Sequence, residues 1–207
     1  MIILAHRGTW FAPDERNTAA AFERAFAAGF GVETDMRDHD GRLVIAHDPP
    51  SGGGLMSFDD FLGLYGRHGA PGELAINIKA DGLSGVVEEA LDRAGVANAF
   101  VFDMSAPETL RYLRGRLRVF TRESEYEAPP AFYDRAEGVW LDCFERDWID
   151  ETAVARHLAA GKAVCVVSPE LHGRPHEAAW SALRGVAGRP GVMLCTDFPD
   201  AARDYFA

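Results

Sequence analysis

The feature that most constrains the fold of this chain is a regular alternation of short apolar runs with amphipathic runs. Eight runs of four or five residues have the length and composition of buried strands, and most segments between them have the apolar spacing of helices. The connection at residues 122–137 contains two prolines and has weak periodicity, so its structure is left open. The predicted strands are residues 2–5, 32–36, 74–78, 100–103, 118–121, 139–142, 163–167 and 192–195.

The connections predict one hairpin and six helices. The apolar run 43–46 follows His39-Asp40-Gly41-Arg42, which is typical of a hairpin turn after the second strand. Asn17 is the predicted cap of a first helix that stops at Gly29. The other predicted helices are residues 58–65, 85–94, 107–114, 151–160 and 178–184.

Eight strands with mostly helical connections predict a parallel sheet closed into a (β/α)₈, or TIM, barrel with a small hairpin excursion after the second strand. The alternative is an open doubly wound sheet. Polar residues follow nearly every strand, and a barrel brings all eight strand ends to one mouth, whereas an open sheet uses only those beside a switch point. The barrel is therefore favoured, as a single domain spanning residues 1–207.

Composition limits the classes of partner. Lysine and arginine number 21 against 32 acidic residues, and this net charge of −11 argues against nucleic acid and anionic membrane surfaces as partners. No apolar run has the length of a membrane span, and the N-terminus lacks a signal-peptide pattern. The three cysteines are far apart and mostly in apolar runs, so we expect reduced core residues in a cytoplasmic protein. Nothing in the sequence indicates an oligomeric state.

Candidate site residues cluster at the first two strand ends and the hairpin. His6 and Arg7 follow the first apolar run, and His47 follows the extra one. Glu33 and Asp35 are two apart, so both carboxylates point to the same face of a strand, an arrangement most easily tolerated with a cation between them. Carboxylates for an ion, histidines for protons and an arginine for an anion are what a metal-assisted phosphate site needs.

Later strand ends supply further candidates. Asn77 and Lys79 alternate, so they face the same side, as an amide ligand or donor beside a phosphate-binding ammonium. Asp103 and Asp142 end apolar runs and could equally be helix caps. A loop after the seventh strand holds three polar residues that are candidates for headgroup binding or for surface decoration. These are Glu170, His172 and Arg174.

These motifs resemble the glycerophosphodiester phosphodiesterase family. The segments at 5–8 (AHRG), 17–18 (NT), 32–35 (VETD) and 44–48 (VIAHD) are similar to that family's opening block in order and spacing. The runs LAINIK and CTDFP resemble its later strand motifs. The chain departs from the family pattern at Arg16 and Asn77, where the family has acidic residues, and in the segment VVSPELHGR, residues 166–174. It is therefore interpreted as a divergent branch.

The resemblance implies a TIM barrel that hydrolyses small phosphodiesters with a divalent cation, Mg²⁺ or Ca²⁺. By position, His6 and His47 would be the acid–base pair, and Glu33 and Asp35 would be metal ligands, with Asn77 as a neutral third. Arg7 would bind the phosphate, with Lys79 beside it. Two alternatives stay open: a catalytically weak barrel that binds a phosphorylated sugar or headgroup, and a metal-dependent lyase or isomerase.

Overall fold

The computed structural model describes all 207 residues, and the predicted strands are present with bounds shifted by at most three residues. Most strand residues are buried, as expected for parallel strands that are covered on both faces. The strands are β1 (Ile2–His6), β2 (Gly31–His39), β3 (Arg42–Ile45), β4 (Leu74–Ile78), β5 (Ala99–Phe102), β6 (Arg118–Glu123), β7 (Gly138–Leu141), β8 (Ala163–Val167) and β9 (Val192–Thr196).

The sheet closes into a barrel. The strand order is β1-β9-β8-β7-β6-β5-β4-β2-β3, and an additional parallel pairing of β1 with β2 joins the two sides of the ring. Eight strands are therefore parallel neighbours around the ring, and β3 lies outside it, antiparallel to β2. The predicted TIM barrel with its hairpin excursion is confirmed, and the open sheet is excluded by the β1–β2 pairing.

The hairpin turn has the geometry that its sequence favours. Asp40 and Gly41 both have positive φ, 48° and 75°, between the paired residues His39 and Arg42. Positive φ at both central positions defines the turn that matches strand twist, and Asp-Gly is a preferred sequence for it. The hairpin directs the segment after β3 back toward the barrel mouth, so that His47 follows there.

Helices occupy most connections and pack against the ring. Thr18, not Asn17, is the cap of the first helix, because its side chain accepts from the backbone N–H of Ala21. The connection after β6, for which the sequence gave no structural prediction, contains no helix. The structure also has a final helix after β9 that was not predicted. The helices are α1 (Ala19–Ala27), α2 (Phe58–Arg67), α3 (Ser84–Ala94), α4 (Ala106–Tyr112), α5 (Glu151–Ala159), α6 (Glu177–Ala182) and α7 (Pro199–Tyr205). None of them is long and apolar enough to cross a bilayer.

Two separate apolar clusters form the core. The larger one lies between strands and helices, and the smaller one fills the barrel interior. In the interior Phe100 stacks on Phe120 with ring centroids 3.8 Å apart, and Phe102 stacks on Trp140 at 4.0 Å. These rings close the barrel beneath its mouth, so polar side chains at the strand ends lie above a solid floor.

Gly138 in β7 makes room for these aromatic rings because it has no side chain. A Cβ on Gly138 would lie 2.3 Å from the Phe120 ring, and stacking against Phe100 prevents that ring from moving away. We expect Gly138→Ala to lower the free energy of unfolding by about 1–3 kcal/mol in urea titrations. Gly66→Ala is the matched control: nothing lies within 4 Å of its added methyl, so this helical substitution should be neutral or stabilising. Equal stability of the two variants would contradict the packing of the interior.

Candidate active site

Strand register brings the N-terminal candidates together at the barrel mouth. His6 on β1 lies opposite Glu33 on β2, and Asp35 lies opposite Asn77 on β4. Because β1, β2 and β4 are adjacent, these four polar residues occupy three neighbouring strands of the eight in the ring. Carboxyl ends of barrel strands are where enzymes of this fold carry their chemistry.

A strained turn after β1 places Arg7 beside these side chains. Arg7 has a φ of 58°, unusual for a residue with a side chain, and its N–H donates to the Glu33 carbonyl at 2.8 Å. Gly8 follows with a φ of 87°, and a Cβ there would lie 2.7 Å from the backbone of Ala21. The glycine is needed because α1 passes so close, and this explains why Arg-Gly ends the strand.

Asp35 is the most enclosed member of the cluster and the best held. It is fully buried, and its Oδ2 accepts a hydrogen bond from Asn17 Nδ2 at 2.9 Å. Arg7 Nε lies 2.9 Å from the same oxygen, an ion contact without hydrogen-bond geometry, and Lys79 Nζ lies 3.4 Å from Oδ1. Asn17 is itself oriented by the Thr34 hydroxyl, which donates to its Oδ1 at 2.9 Å. Two cations and an amide thus surround this carboxylate.

Glu33 is buried with less compensation. Burial, followed by the charge of Asp35, raises the pKa of Glu33 to about 8, although Arg7 and Lys79 act in the opposite direction. Its Oε2 makes no hydrogen bond and lies 3.8 Å from His6 Nε2. Burial also lowers the pKa of His6, so this contact joins two neutral groups at neutral pH rather than an ion pair.

Three oxygens of the cluster are buried without any hydrogen-bond partner: Glu33 Oε2, Asp35 Oδ1 and Asn77 Oδ1. They belong to the three residues predicted as metal ligands. Unpartnered buried oxygens are costly, and a hard cation with oxygen ligands would satisfy all three. Nowhere in the chain do three or more histidine, cysteine or carboxylate side chains form a metal-binding group, so the set fits Mg²⁺ or Ca²⁺ only with the Asn77 amide included.

His6 is oriented by a carboxylate at the end of the chain. Its Nδ1 donates to Asp197 Oδ1 at 2.7 Å, which leaves Nε2 as the unprotonated nitrogen of the neutral ring. The side chain of His6 is 12% exposed, and that of Asp197 is 8% exposed. A buried carboxylate that fixes the tautomer of a histidine is the arrangement found in acid–base catalysis.

Asp197 in turn is positioned by Glu170. The Oε1 of Glu170 accepts from the backbone N–H of Asp197 at 3.1 Å and from the Thr196 hydroxyl, and its Oε2 accepts from Ser168. Both oxygens are therefore engaged by the ends of β8 and β9. The predicted headgroup contact of Glu170 stays a prediction, but its described contacts are those of a residue that supports Asp197.

The other two residues of that loop are also engaged by protein groups. His172 Nε2 lies 2.7 Å from Asp142 Oδ1, and Arg174 contacts Asp147 and the carbonyl of Cys143. They lie across the ring from β2. Their role in headgroup binding remains a prediction. To contact a headgroup, His172 and Arg174 would have to bind it in addition to their present protein partners.

His47 is brought to the mouth but differs from His6. Its side chain is 47% exposed, and its Nδ1 lies 2.9 Å from Asp48 Oδ1. The backbone holds it in place, since Arg37 donates to its carbonyl and Ala46 donates to that of Asp35. His47 lines an open groove together with Arg7 and Asn17. One candidate histidine is thus buried and fixed, and the other faces solvent.

Lys79 links the acidic cluster to the next strands. Besides Asp35, its Nζ lies 3.8 Å from Asp103 Oδ2, and Asp103 Oδ1 lies 2.7 Å from Arg122 Nη1. Asp103 has a φ of 71°, so its backbone leaves the regular strand path to make this link. Alternating charges therefore continue along the mouth from β2 to β6.

Sequence reasoning gave no site role to Asn17 or Asp197. Asn17 was interpreted as a helix cap, and its φ of 59° with a hydrogen bond from its N–H to the Arg7 carbonyl instead turns its amide toward Asp35. Asp197 was recognised only as a polar strand end. Asp197 lies beside β1 only because the ring closes and β9 pairs with β1. The one sequence signal for a site role was its position directly after the last predicted strand.

The protein is a TIM barrel. Its mouth carries an acidic pair, a histidine hydrogen-bonded to a carboxylate, and the cationic side chains of Arg7 and Lys79. No protein-family model matches the sequence, and no curated protein matches it. Solved structures do match. A glycerophosphodiester phosphodiesterase from Parabacteroides distasonis has a TM-score of 0.75 and 15% identity, with 99% of this chain and 96% of that chain covered.

Two further structures agree. A glycerophosphodiester phosphodiesterase from Agrobacterium tumefaciens has a TM-score of 0.70 and 20% identity over 99% of both chains. A glycerophosphoryl diester phosphodiesterase from P. distasonis has a TM-score of 0.68 and 11% identity, covering 99% of this chain and 85% of that one. At such identities the likeness establishes the fold. The three structures carry the name of the family that the sequence motifs resemble, and what they establish for this chain is the TIM-barrel fold.

The raised pKa of Glu33 predicts a pH dependence of stability in the metal-free protein. Between its ordinary pKa of 4.5 and its folded pKa of about 8, the folded state keeps a proton that the unfolded chain has lost. The Glu33 contribution to the free energy of unfolding therefore falls as the pH rises through this range. Denaturant titrations in chelator should show this fall in the native sequence and its loss in Glu33→Gln, which should be more stable at pH 8 by at least about 1 kcal/mol. Parallel pH profiles would contradict the burial of this carboxyl.

Proposed function

We propose that this protein hydrolyses small phosphodiesters of the glycerophosphodiester type, by histidine acid–base catalysis assisted by a divalent cation. One observation carries the proposal: three buried oxygens without hydrogen-bond partners belong to residues of the adjacent strands β2 and β4, beside a histidine held by a carboxylate at the mouth of a TIM barrel. A cation site alone serves many reactions. An adjacent fixed histidine together with Arg7 and Lys79 suits a reaction at an anionic phosphoryl group.

The residues present fit Mg²⁺ or Ca²⁺. Glu33, Asp35 and Asn77 would hold the ion through oxygen atoms, and two carboxylates would supply most of its charge compensation. When bound, the ion would polarise the phosphoryl group and lower the cost of negative charge in the transition state. The chain's own contribution is to keep those oxygens fixed: Asn17 and Arg7 hold the other oxygen of Asp35.

His6 and His47 would share the proton transfers. His6 has its Nδ1 hydrogen directed to Asp197, so Nε2 has a free lone pair that can accept a proton. One histidine takes the proton of the attacking water or substrate hydroxyl as its oxygen bonds to phosphorus. The other donates a proton to the oxygen of the leaving alcohol as the bond between that oxygen and phosphorus breaks. The exposed position of His47 suits exchange of its proton with solvent between turnovers.

Arg7 and Lys79 would bind the non-bridging phosphoryl oxygens. Both side chains are 19% exposed, and each contacts one oxygen of Asp35, which keeps them extended toward the mouth. Their charges would offset the negative charge that develops on phosphorus-bound oxygens.

A second function, binding of a phosphorylated ligand without efficient hydrolysis, is favoured by one observation. Lys79 Nζ lies 3.4 Å from Asp35 Oδ1, so an ammonium of the protein itself compensates part of the charge of the acidic pair. Under this alternative, ligand binding would not depend on Mg²⁺ or Ca²⁺.

Replacement of either histidine tests the acid–base assignment. We expect His6→Ala and His47→Ala each to lower kcat by at least about 10²-fold on a phosphodiester that the native enzyme hydrolyses, because each removes one proton transfer. His68→Ala is the control, since His68 lies at the carboxyl end of α2, away from the mouth. Near-native kcat in both mouth variants would end the assignment.

Charge at position 77 tests the cation site without relying on turnover. Asn77→Asp adds a third carboxylate, so it should lower the melting temperature in chelator and tighten Mg²⁺ or Mn²⁺ binding by about tenfold. Asn77→Ala removes an oxygen ligand and should weaken binding. The measurement is the thermal shift as a function of metal concentration. Identical metal affinity in all three proteins would contradict a site that includes Asn77.

A further inference from the structure

An open groove leaves the catalytic mouth toward α1 and α2. Its volume is about 860 Å³, comparable with pockets that hold small molecules, and it extends beyond what a single phosphate group fills. Arg7, Asn17 and His47 line its inner part, and Arg16 belongs to the same wall. Because Asn17 donates its backbone N–H to the Arg7 carbonyl at 3.0 Å, residues 16 and 17 run directly beside Arg7.

Arg16 is held in one place by an aromatic ring. Its guanidinium lies over Trp10, 4.1 Å from the ring centroid, and the Trp10 indole N–H donates to the His6 carbonyl at 3.1 Å. The stack is therefore fixed to the end of β1. A guanidinium held on a rigid ring loses little freedom when it binds a ligand, which favours its use in recognition.

The charge of Arg16 is not fully compensated by the protein. The carboxylate nearest in sequence, Glu15, is engaged by the Arg24 guanidinium at 2.6 Å and by the N–H of Phe11 at 2.8 Å. The described ion contact of Arg16 is a distance of 3.6 Å from its Nη2 to Asp197 Oδ2, on a carboxylate already bonded to His6. Its Nε is buried without a hydrogen-bond partner. A guanidinium with five donors thus has most of them free.

We propose that Arg16 binds a second anionic group, a carboxylate or phosphate carried by one alcohol of the substrate. This inference rests on the proposed phosphodiesterase function and assigns its substrate class: diesters with an additional negative charge a few atoms from the scissile phosphate. The scissile phosphate of a diester carries a single negative charge, for which Arg7 and Lys79 suffice. The adjacent fixed guanidinium of Arg16 is then available for a second anion.

Acidic residues on the groove limit where that anion can lie. Glu23, Asp48 and Asp60 also line the groove, with Asp48 beside His47 and Asp60 accepting from the Ser57 hydroxyl. Arg67 also lines the groove on the α2 side, but the three carboxylates outnumber its one guanidinium, so the net charge there opposes an anionic group. The second anion is therefore restricted to the part of the groove next to Arg7 and Arg16, which requires a short link to the scissile phosphate.

Matched substrates test this assignment. The panel comprises glycerol phosphodiesters whose second alcohol is a short hydroxy acid, a diol or choline, so that charge is the main difference. For the native enzyme we expect kcat/KM to be about tenfold higher on the hydroxy-acid ester than on the diol ester. Arg16→Gln should lower this ratio about tenfold, Arg16→Lys should retain part of it, and Arg42→Gln, an exposed arginine outside the groove, should leave it unchanged.

The kcat/KM ratios distinguish recognition of a second anion by Arg16 from an effect of Arg16 on hydrolysis of every ester. A ratio unchanged by Arg16→Gln overturns the proposal, and so does an equal loss of kcat/KM on all three esters, which would mean that Arg16 acts on the shared phosphoryl group or on Asp197. Absence of hydrolysis of every ester by the native protein counts against the proposed function instead.

A binding experiment then tests Arg16 by itself. Calorimetry with ethylene glycol bisphosphate and ethylene glycol monophosphate, in the presence of Mg²⁺, should give the native protein about tenfold tighter binding of the bisphosphate. Arg16→Gln should bind both alike, and Arg42→Gln should retain the difference. Equal affinity of the native protein for the two ligands would overturn the proposal even if phosphodiesters are hydrolysed.

Discussion

The repulsion between Glu33 and Asp35 is the constraint around which the mouth of this barrel is arranged. Their separation by one residue in β2 puts both carboxyls on the inner face, where burial prevents water from screening them. The structure compensates Asp35 with Arg7, Lys79 and Asn17, and leaves Glu33 with a raised pKa. A folded chain that keeps such a pair carries a local cost in stability, which a bound cation would remove.

Other features of the mouth follow from the need to hold these groups in place. The left-handed backbone at Arg7 and Asn17 brings a guanidinium and an amide to Asp35, and Gly8 permits the close passage of α1. On the opposite side of β1, Glu170 fixes the loop that presents Asp197 to His6. The aromatic floor of the interior lies beneath this layer. Rigid surroundings of this kind keep donors and acceptors fixed before a substrate arrives.

Much of the fold was predictable because the relevant signals are local. Strand length, alternation and the polar residue after each strand are properties of a few neighbouring residues, and the polar strand ends favoured closure of the eight strands into a ring. The Asp-Gly turn and the facing pair Glu33 and Asp35 are local as well. The His6–Asp197 bond spans 191 residues, so no local pattern indicates it. The cap at Thr18 was misassigned to Asn17 because both residues can cap a helix, and only tertiary contact with Asp35 distinguishes them.

A crystal structure with Mn²⁺, phased on its anomalous scattering, tests directly whether Glu33, Asp35 and Asn77 hold a cation. We expect an anomalous peak at coordination distance, about 2.0–2.6 Å, from Glu33 Oε2, Asp35 Oδ1 and Asn77 Oδ1, with Lys79 turned away from Asp35. Bound Mn²⁺ only at other positions, with the three oxygens unchanged and Lys79 still beside Asp35, would contradict this expectation. The acidic pair would then be compensated by protein cations alone, and the metal-assisted mechanism would be wrong.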